Sequence, residues 1–352
     1  ARRMPFKIIT SGQNIVRFHE LKDYIGSIPV YYAFKQRPLG IRLPLLVGFI
    51  VWSMKALFNY FLFFHHELRM AKKNTYFIVH GDTVSSLLGA FIAKIFQVQL
   101  VHIESGLRSF NFFEPFPEEI CRYIISKFAD IHFCPNNWCV SNLKTVNGEK
   151  INTGQNTLIE TFTYAMKCKN NSSIIRQIKK MNKKYFVMVI HRQEHVLFNK
   201  IETKKIIETV FQNFPRDFVC VFVVHDLSST FVQSWRDQMG SSIFGKVIFI
   251  KRIEYLDYMH ILNVAEFMIT DGGSNQEEMY YMGKPCLLLR KNTERIEGIN
   301  ENVVLSRYNS FIVQDFMRNY ASHERLKIFL QTRPSNIIVN RLAGMLNHEN
   351  TV

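Results

Sequence analysis

Short apolar runs alternate with longer segments of helical periodicity along much of the chain. In one stretch, an apolar run at 77–80 is followed by apolar residues at helical spacing over 85–96, and then by a second apolar run at 99–103. Short runs of this kind predict buried strands, and the periodic segment predicts a helix. Two such strands with a helix between them form a βαβ unit, in which the strands are parallel and the crossover is right-handed.

The second half of the chain repeats this alternation. Strands are predicted at 185–190, 218–224, 247–250, 267–270 and 286–289, with helices at 201–211, 255–265 and 275–282. At 352 residues the chain is also longer than one hydrophobic core usually supports. We therefore predict an α/β fold with two Rossmann-like domains at 1–165 and 166–352, and a connector or surface helix at 167–184. Residues after 313 are predicted to be helical, and the last helix is expected to pack back against the first domain.

Residues 43–64 (LPLLVGFIVWSMKALFNYFLFF) stand out because they are apolar over a length that could span a bilayer. Lys55 lies near the middle of this segment, which would cost roughly 2.5–3.5 kcal/mol in a bilayer core. Lys55 and Asn59 also form a narrow polar stripe on one helical face. We favour a helix with one face on the sheet and the other on a membrane surface or a partner. The alternatives are an ordinary buried helix and a membrane span.

Composition narrows the class of protein. With 47% hydrophobic and 21% charged residues, the chain is predicted to be globular. A net charge of +15 favours anionic partners such as nucleotide phosphates or an anionic membrane. No zinc-finger spacing or RNP-like motif accompanies that charge, so a nucleic-acid partner is not expected. The six cysteines include no CxxC pair, which predicts reduced thiols in a cytoplasmic protein and no metal site.

Acidic side chains collect where the strands of the first βαβ unit end. Asp82 follows the first predicted strand and Glu104 follows the second, while Glu114, Glu118 and Glu119 lie in the next loop and at the start of the next helix. In open parallel sheets, ligands bind outside the carboxyl ends of the strands. The sequence therefore predicts an acidic site at this edge. The alternative is that Asp82 and Glu119 only cap helices.

Three motifs in this region resemble those of the UDP-N-acetylglucosamine 2-epimerases. They are His80-Gly81-Asp82-Thr83, His102-Ile103-Glu104-Ser105-Gly106-Leu107-Arg108 and Pro115-Phe116-Pro117-Glu118-Glu119. The resemblance implies two Rossmann-like domains facing across a cleft (the GT-B architecture), a UDP-sugar substrate, a homodimer, and no metal or redox cofactor. It also implies catalytic roles for Asp82, Glu104 and Glu118, and a role in substrate binding for Arg108.

The resemblance extends to the second predicted domain. The segment Asp271-Gly272-Gly273-Ser274-Asn275-Gln276-Glu277-Glu278 resembles the family pattern Asp-Ser-Gly-Gly-hydrophobic-Gln-Glu-Glu with the serine displaced. Residues 292–298 resemble the family's Thr-Glu-Arg-Pro-Glu loop except at Ile296. A glycine turn at a helix start suits a phosphate. The resemblance implies binding roles for Gly272, Gly273 and Ser274 (diphosphate), Glu278 (ribose) and Arg295, and a phosphate or catalytic contact for His191. A solvated charged loop at 292–298 and a structural His191 are the alternatives.

Residues 6–10 are predicted to form a strand leading into Ser11-Gly12-Gln13-Asn14, which resembles the family's second strand and the loop after it. The family's first strand, with its glycine- and arginine-bearing loop, has no counterpart before this point. We therefore expect an N-terminal truncation of a longer chain. The first strand is central in a doubly wound sheet, so its absence predicts a gap between its neighbours.

The reaction implied by the resemblance converts UDP-N-acetylglucosamine into UDP-N-acetylmannosamine for surface polysaccharide synthesis. The C2 proton is removed while UDP leaves C1, 2-acetamidoglucal forms, and UDP adds back after protonation of the opposite face. This needs a base, an acid and groups that stabilise the departing diphosphate. Which carboxylate is base and which is acid stays open. The alternatives are a hydrolysing epimerase, a membrane-associated GT-B glycosyltransferase and a UDP-sugar-binding protein without turnover.

Overall fold

The computed structural model describes residues 5–11, 30–32, 45–70, 75–168, 173–192, 194–195, 199–225 and 245–349. The chain divides into two compact units. Unit 1 comprises Ala1–Leu107, Ile120–Gly154 and Pro334–Val352, and unit 2 comprises Arg108–Glu119 and Gln155–Arg333. Parallel sheets in both units confirm the α/β fold class predicted from the sequence. The domain bounds 1–165 and 166–352 stay a prediction.

Unit 1 contains two parallel sheets. The smaller is formed by β1 (Ile8–Thr10) and β2 (Val30–Tyr32), and the larger has the order β3 (Tyr76–His80), β4 (Gln99–Ile103), β5 (Ile131–Cys134) and β6 (Glu149–Asn152). In the larger sheet His80 pairs with Ile103, at the carboxyl ends of β3 and β4. Residues that follow these two strands therefore begin side by side.

β3 is an edge strand, because among the described strands only β4 pairs with it. Ile78 on this strand is 48% exposed. Among the described strands, β1 and β2 form a sheet separate from that of β3. The expected truncation and the gap that it implies stay predictions. Of the predicted loop at 11–14, only Ser11 lies within the described residues, and its Oγ lies 2.5 Å from that of Ser85.

The helices of unit 1 cover the larger sheet. In the described part of the chain before residue 154 they are α1 (Leu45–Met70), α2 (Val84–Ile95), α3 (Glu118–Phe128, whose first two residues belong to unit 2) and α4 (Asn137–Asn142). Trp52, Ala56 and Tyr60 recur every four residues on α1 and pack into the core of the unit. The prediction that one face of this helix packs against the fold is thus confirmed. Within the part of the chain that the structure describes, no helix has the length and apolarity needed to cross a membrane.

Unit 2 is built on a six-stranded parallel sheet. Its strands are β7 (Lys184–Val189), β8 (Phe218–Val224), β9 (Val247–Lys251), β10 (Met268–Thr270), β11 (Cys286–Leu288) and β12 (Val303–Leu305), in the order β12-β11-β10-β7-β8-β9. Along β7, Val187 and Val189 face one apolar cluster, and Phe186 and Met188 face another. Both faces of the sheet are therefore covered, which explains why its strands are continuous apolar runs.

Helices connect these strands and carry the chain back to unit 1. Unit 2 contains α5 (Leu158–Lys167), α6 (Ser173–Lys180), α7 (Lys200–Gln212), α8 (Tyr255–Val264), α9 (Gly273–Met282) and α10 (Ser310–Asn319), and unit 1 ends with α11 (Pro334–Glu349). Ile338 and Leu342 of α11 pack with Val101 and Phe133 of the four-stranded sheet. This confirms that the last helix packs against the first part of the chain.

Candidate active site

Asp82 and Glu104 follow the paired ends of β3 and β4. The Gly81 N–H donates to the carbonyl of Ile103 at 3.0 Å, which ties the turn after β3 to the end of β4. Gly81 has a φ of +65°, and a Cβ at this position would lie 3.0 Å from Glu104 Oε2. Glycine is therefore favoured by the backbone conformation, and it leaves room for the close approach of the Glu104 carboxylate.

Glu104 itself has a left-handed backbone, with a φ of +63°. Such a conformation costs about 1–3 kcal/mol for a residue other than glycine and persists only where its surroundings impose it. The side chain is 11% exposed, and Oε2 lies 3.9 Å from His80 Nδ1. A strained, nearly buried carboxylate at a strand end supports the hypothesis that Glu104 has a functional role.

Asp82 forms an ion pair with Arg122 of α3, whose side chain is 4% exposed. The helix after Asp82 is capped by the next residue, because Thr83 Oγ1 accepts a hydrogen bond from the Ser86 N–H at 3.1 Å. The interpretation of Asp82 as a helix cap is therefore wrong. Its carboxylate is instead held in place by a buried guanidinium.

His102 of β4 supports the turn that carries Asp82. The ring is 1% exposed, and burial lowers the pKa of His102 to about 3. Because a carbonyl oxygen can only accept, the Nε2–H of the neutral ring donates to the Gly81 carbonyl at 2.9 Å. Nδ1 lies 3.0 Å from Ser105 Oγ. The turn is thus braced by an uncharged ring close to the two acids.

The loop Arg108–Glu119 belongs to unit 2 and is organised by its last residue. The carboxylate of Glu119 is fully buried and accepts hydrogen bonds from the Ser109 N–H (3.1 Å), the Phe110 N–H (3.2 Å) and Arg108 Nε (2.5 Å). In these contacts Glu119 shapes the loop. Arg108, which the resemblance assigned to substrate binding, is paired with it.

Glu118 is held by an arginine from another part of unit 2. Arg192 Nη1 donates to Glu118 Oε1 at 2.7 Å, and Arg192 Nη2 lies 3.5 Å from Glu294 Oε1. Burial alone would lower the pKa of Arg192, but the neighbouring carboxylates of Glu118 and Glu294 raise it above its ordinary value. This arginine therefore stays charged and joins the acidic loop to the 292–298 loop.

Asp271 is the centre of a buried cluster at the end of β10. Its Oδ2 accepts hydrogen bonds from the N–H groups of His191 and Arg192, both at 2.8 Å. Its side chain also contacts His191 Nδ1 at 2.9 Å and His195 Nε2 at 3.3 Å. Burial alone would raise the pKa of Asp271, but the charge and hydrogen bonds of His191 and His195 hold it well below its usual range. Asp271 therefore fixes the position of the His191 ring.

The start of α9 is crowded around its two glycines. A Cβ at Gly273 would lie 2.5 Å from Glu294 Oε1 and 3.0 Å from Arg295 Nε. A Cβ at Gly272 would lie 2.7 Å from Asn275 Oδ1 and 2.9 Å from His191 Cε1. Asn275 thus lies in the space that a side chain at 272 would enter, beside the position where the family pattern has serine.

Glu277 and Glu278 of α9 have different surroundings. Glu277 is fully buried, accepts a hydrogen bond from Asn156 Nδ2 at 3.2 Å, and forms an ion pair with Arg295. Glu278 is 2% exposed, and burial raises its pKa to about 7, although Asn275 Nδ2 donates to it at 3.0 Å. Glu277 thereby holds Arg295 beside the glycines. Glu278 is left as a carboxyl group that gains or loses a proton near neutral pH.

A family model described as UDP-N-acetylglucosamine 2-epimerase matches residues 61–332. The chain belongs to this family. The UDP-N-acetylglucosamine 2-epimerase of Bacillus subtilis (strain 168) is 31% identical over 224 residues, which cover 63% of this chain and 57% of that protein. The Campylobacter jejuni enzyme of the same name is 32% identical over 239 residues, covering 64% of this chain and 61% of the relative. The chain thus spans less than two thirds of these two curated relatives.

Solved structures of other members show the same fold. The Staphylococcus aureus MnaA–UDP co-structure has a TM-score of 0.75 at 24% identity, covering 95% of this chain and 87% of that one. The Methanocaldococcus jannaschii UDP-GlcNAc 2-epimerase in complex with UDP-GlcNAc and UDP has a TM-score of 0.73 at 24% identity, with coverages of 93% and 87%. These similarities support the two-domain Rossmann-like architecture of the epimerase family.

Within each unit, the residues singled out by the epimerase motifs lie close together. In unit 1, Asp82 and Glu104 follow the paired ends of β3 and β4. In unit 2, one chain of contacts joins the remaining predicted residues apart from Arg108 and Ser274, namely Glu118, His191, Gly272, Gly273, Glu278 and Arg295. Ser274 is exposed on α9. The functional role of each residue stays a prediction.

The motifs missed the residues that hold these side chains in place. Arg122, Arg192 and Asp271 are buried or nearly so and contact a predicted residue directly, while His102 holds the Gly81 carbonyl next to Asp82. His102 and Asp271 belong to the quoted motifs, but no role was predicted for them. Each stands within a few residues of a motif acid or of His191. Among the described residues, no group of three or more His, Cys, Asp and Glu side chains could hold a metal ion. The expectation of no cofactor stays a prediction.

Proposed function

We propose that this chain is a cytoplasmic epimerase that interconverts UDP-N-acetylglucosamine and UDP-N-acetylmannosamine for surface polysaccharide synthesis. The observation that carries the proposal is the pair of carboxylates, Asp82 and strained Glu104, at adjacent strand ends in a member of the 2-epimerase family. Elimination of UDP across C1–C2 needs a base at C2, and re-addition needs an acid on the opposite face. Asp82, Glu104 and Glu118 are the candidates for these two roles.

The start of α9 would hold the departing diphosphate. Free N–H groups at a helix N-terminus and the positive end of its dipole favour a phosphate. Gly272 and Gly273 let the backbone approach a ligand closely, and Arg295 lies beside Gly273. His191 lies next to Gly272 and is oriented by Asp271. Together they would stabilise the negative charge that develops on UDP as the bond to C1 breaks.

The proposal is tested by identifying the product. Incubation with UDP-N-acetylglucosamine in D₂O, followed by NMR, should show UDP-N-acetylmannosamine and deuterium at C2 of both sugars. Free N-acetylmannosamine with UDP would identify a hydrolysing epimerase instead. Transfer of the sugar to an added acceptor would identify a glycosyltransferase, and binding without any of these products would identify a UDP-sugar-binding protein.

Glu278→Gln is expected to weaken UDP binding by about 1–2 kcal/mol. In the proposed complex the Glu278 carboxylate accepts hydrogen bonds from the ribose hydroxyls, and glutamine replaces a charged acceptor with a neutral one. Because the pKa of Glu278 is about 7, UDP affinity in the parent protein should also fall as the pH is lowered from 8 to 6. Calorimetry with UDP at both pH values measures the two effects.

Glu301→Gln is the matched control for this experiment, because Glu301 is an exposed carboxylate of the same unit. It should leave UDP affinity and its pH dependence unchanged. In Glu278→Gln the pH dependence should be smaller than in the parent protein by the part that Glu278 contributes. Equal affinity and equal pH dependence in the parent protein and Glu278→Gln would mean that Glu278 does not contact the ribose.

We further propose that α1 rests on an anionic membrane surface. Its outer stripe is apolar and open, with Met54 68%, Phe58 62%, Phe61 50% and Leu62 50% exposed. Unit 1 contains 18 Lys and Arg residues against 8 Asp and Glu residues, so it carries +10 of the total charge of +15. The open apolar stripe supplies area that could enter the membrane interface, and the basic charge of the unit would attract it to anionic lipids.

The protein is therefore expected to co-sediment with vesicles that contain phosphatidylserine, and salt should weaken this binding. Phe58→Ser with Leu62→Ser removes apolar area from the stripe and should reduce the bound fraction, while Ile201→Ser, an exposed apolar site in unit 2, should not. Equal binding to neutral vesicles would contradict the proposal. So would a dimer that buries the stripe and does not bind vesicles. The predicted homodimer itself stays a prediction.

A further inference from the structure

Glu114 lies in the loop Arg108–Glu119 and links it to two other parts of unit 2. Three aromatic side chains of the loop are open to solvent, with Phe110 68%, Phe112 47% and Phe113 65% exposed. Burial of these rings therefore contributes little to holding the loop. Glu114, in contrast, is 6% exposed although it carries a carboxylate. A carboxylate is rarely buried to this extent without dedicated partners.

Both oxygens of Glu114 accept a hydrogen bond from an asparagine. Asn199 Nδ2 donates to Oε1 and Asn292 Nδ2 donates to Oε2, each at 3.0 Å. A carboxylate can only accept, so each asparagine turns its amide nitrogen towards it. Both hydrogen bonds therefore have the same direction: each asparagine donates, and the Glu114 carboxylate accepts.

Asn199 is itself fixed in place by its backbone, and Asn292 stands on a different element. The Asn199 N–H donates to the Glu194 carbonyl at 2.8 Å, and the Asn199 carbonyl accepts from the Thr203 N–H at 2.9 Å in the first turn of α7. Asn292 lies in the loop after β11, two residues before Glu294. Glu114 is thus fastened to two separate elements of unit 2.

Glu118, four residues after Glu114, is connected to the same loop by a second route. Arg192 holds Glu118 at 2.7 Å and lies 3.5 Å from Glu294. The two links together, Glu114 to Asn292 and Glu118 through Arg192 to Glu294, fix the acidic loop relative to the residues proposed to bind UDP. Loss of the first link would leave Glu118 attached by the second alone.

We propose that Glu114 is a positioning residue, which fastens the acidic loop through Asn199 and Asn292 so that the carboxyl group of Glu118 is held where proton transfer needs it. The inference rests on the proposed function and assigns no contact with substrate to Glu114. It predicts that the direction of the two hydrogen bonds, rather than the negative charge of Glu114 as such, is what the reaction depends on.

Glu114→Gln is expected to lower kcat by about 10²-fold, because a displacement of about 1 Å at a reacting group can have an effect of this size. The glutamine amide offers one acceptor and one donor, so its NH₂ meets the NH₂ of one asparagine. UDP affinity should stay within about twofold of the parent protein, since the start of α9 and Glu278 are untouched. Glu202→Gln, an exposed carboxylate on α7, is the control and should keep the parent kcat.

A second substitution should restore the pairing. In Glu114→Gln with Asn292→Asp, the glutamine NH₂ donates to the new carboxylate, and its oxygen still accepts from Asn199. We expect kcat to recover by about tenfold over Glu114→Gln, whereas Asn292→Asp alone, which sets two carboxylates against each other, should be at least as impaired as Glu114→Gln. A role of Glu114 in general stability would not predict recovery through a reversed hydrogen bond.

Hydrogen–deuterium exchange of the amides in 108–119 tests the fastening without any assay of activity. Exchange should rise in Glu114→Gln and return towards the parent level in the double variant. Asn199→Ala, which removes one donor, gives the same test if Glu114→Gln does not fold. Parent-like kcat and exchange in Glu114→Gln, or a double variant no better than the single one, would overturn the inference. A parent protein without C2 exchange would overturn the proposed function, while the amide data would still decide whether Glu114 fastens the loop.

Discussion

Glu104→Gln is expected to lower the rate of C2 hydrogen exchange by about 10²–10⁴-fold, the usual loss when a general acid or base is removed. Glutamine keeps the size of the side chain and can keep a hydrogen bond, but it cannot take up or release the proton. Glu104 sits in a left-handed backbone against Gly81, so the replacement leaves the shape of the turn in place. UDP affinity should change little, since the proposed UDP contacts lie in unit 2.

The measurement is deuterium wash-in at C2 of UDP-N-acetylglucosamine, with calorimetry of UDP on the same samples. Glu149→Gln is the control: Glu149 is an exposed carboxylate of unit 1 that pairs with Arg341, and exposed pairs contribute little to stability. It should exchange C2 hydrogen at the parent rate. Exchange at the parent rate in Glu104→Gln would mean that the strand-end acids are not the catalytic centre.

Elements with a strong apolar pattern were predictable from the sequence. The strand expected at 218–224 is β8 (Phe218–Val224), and the helix expected at 85–96 is α2 (Val84–Ile95). These runs are long, and both sheets bury them, so local pattern and tertiary packing agree. α4 and β12 were missed for the opposite reason. α4 has only six residues and is capped by the side chain of Asn136, and β12 has only three residues.

The positions of the candidate acids were predictable for a topological reason. Parallel strands end at one edge of a sheet, so Asp82 and Glu104 had to begin close together once both runs were identified as strands. Their partners could not be found in this way. Asp82 pairs with Arg122, and Glu118 pairs with Arg192. The residues of each pair are far apart in the chain, and hydrophobic periodicity does not predict such contacts.

Single substitutions within a motif were interpretable only with the structure. The displaced serine of 271–274 made a side-chain phosphate contact uncertain on sequence grounds. The structure shows that Asn275 Oδ1, which accepts from Thr270 Oγ1 at 3.1 Å, occupies the space beside Gly272. The two departures from the family pattern, Gly272 and Asn275, are therefore in contact. The contact between Asn275 and Gly272 could not be predicted from either position alone.

Asp271→Asn is expected to lower the free energy of unfolding by about 3–5 kcal/mol at pH 7, the range for breaking a buried charge pair by removing one partner. The Asp271 carboxylate is fully buried and serves two backbone N–H groups as well as His191 and His195. Asparagine keeps one oxygen for the backbone but sets an NH₂ group against a histidine. Urea denaturation of both proteins measures the difference.

The effect should depend on pH in a defined direction. The pKa of Asp271 is well below its usual range in the folded protein, whereas in the unfolded chain it is near 3.9. Its stabilisation is therefore complete above about pH 4 and is lost as the pH falls below that value through the folded pKa. The difference between Asp271→Asn and the parent protein should shrink as the pH is lowered below about 4. Thr203→Val, which removes only the 2.7 Å contact to His195 Nδ1, should cost about 1 kcal/mol and show no such decline.

A difference for Asp271→Asn that persists undiminished below pH 4 would mean that His191 is oriented by shape and backbone contacts, and that the negative charge of Asp271 plays no part in it.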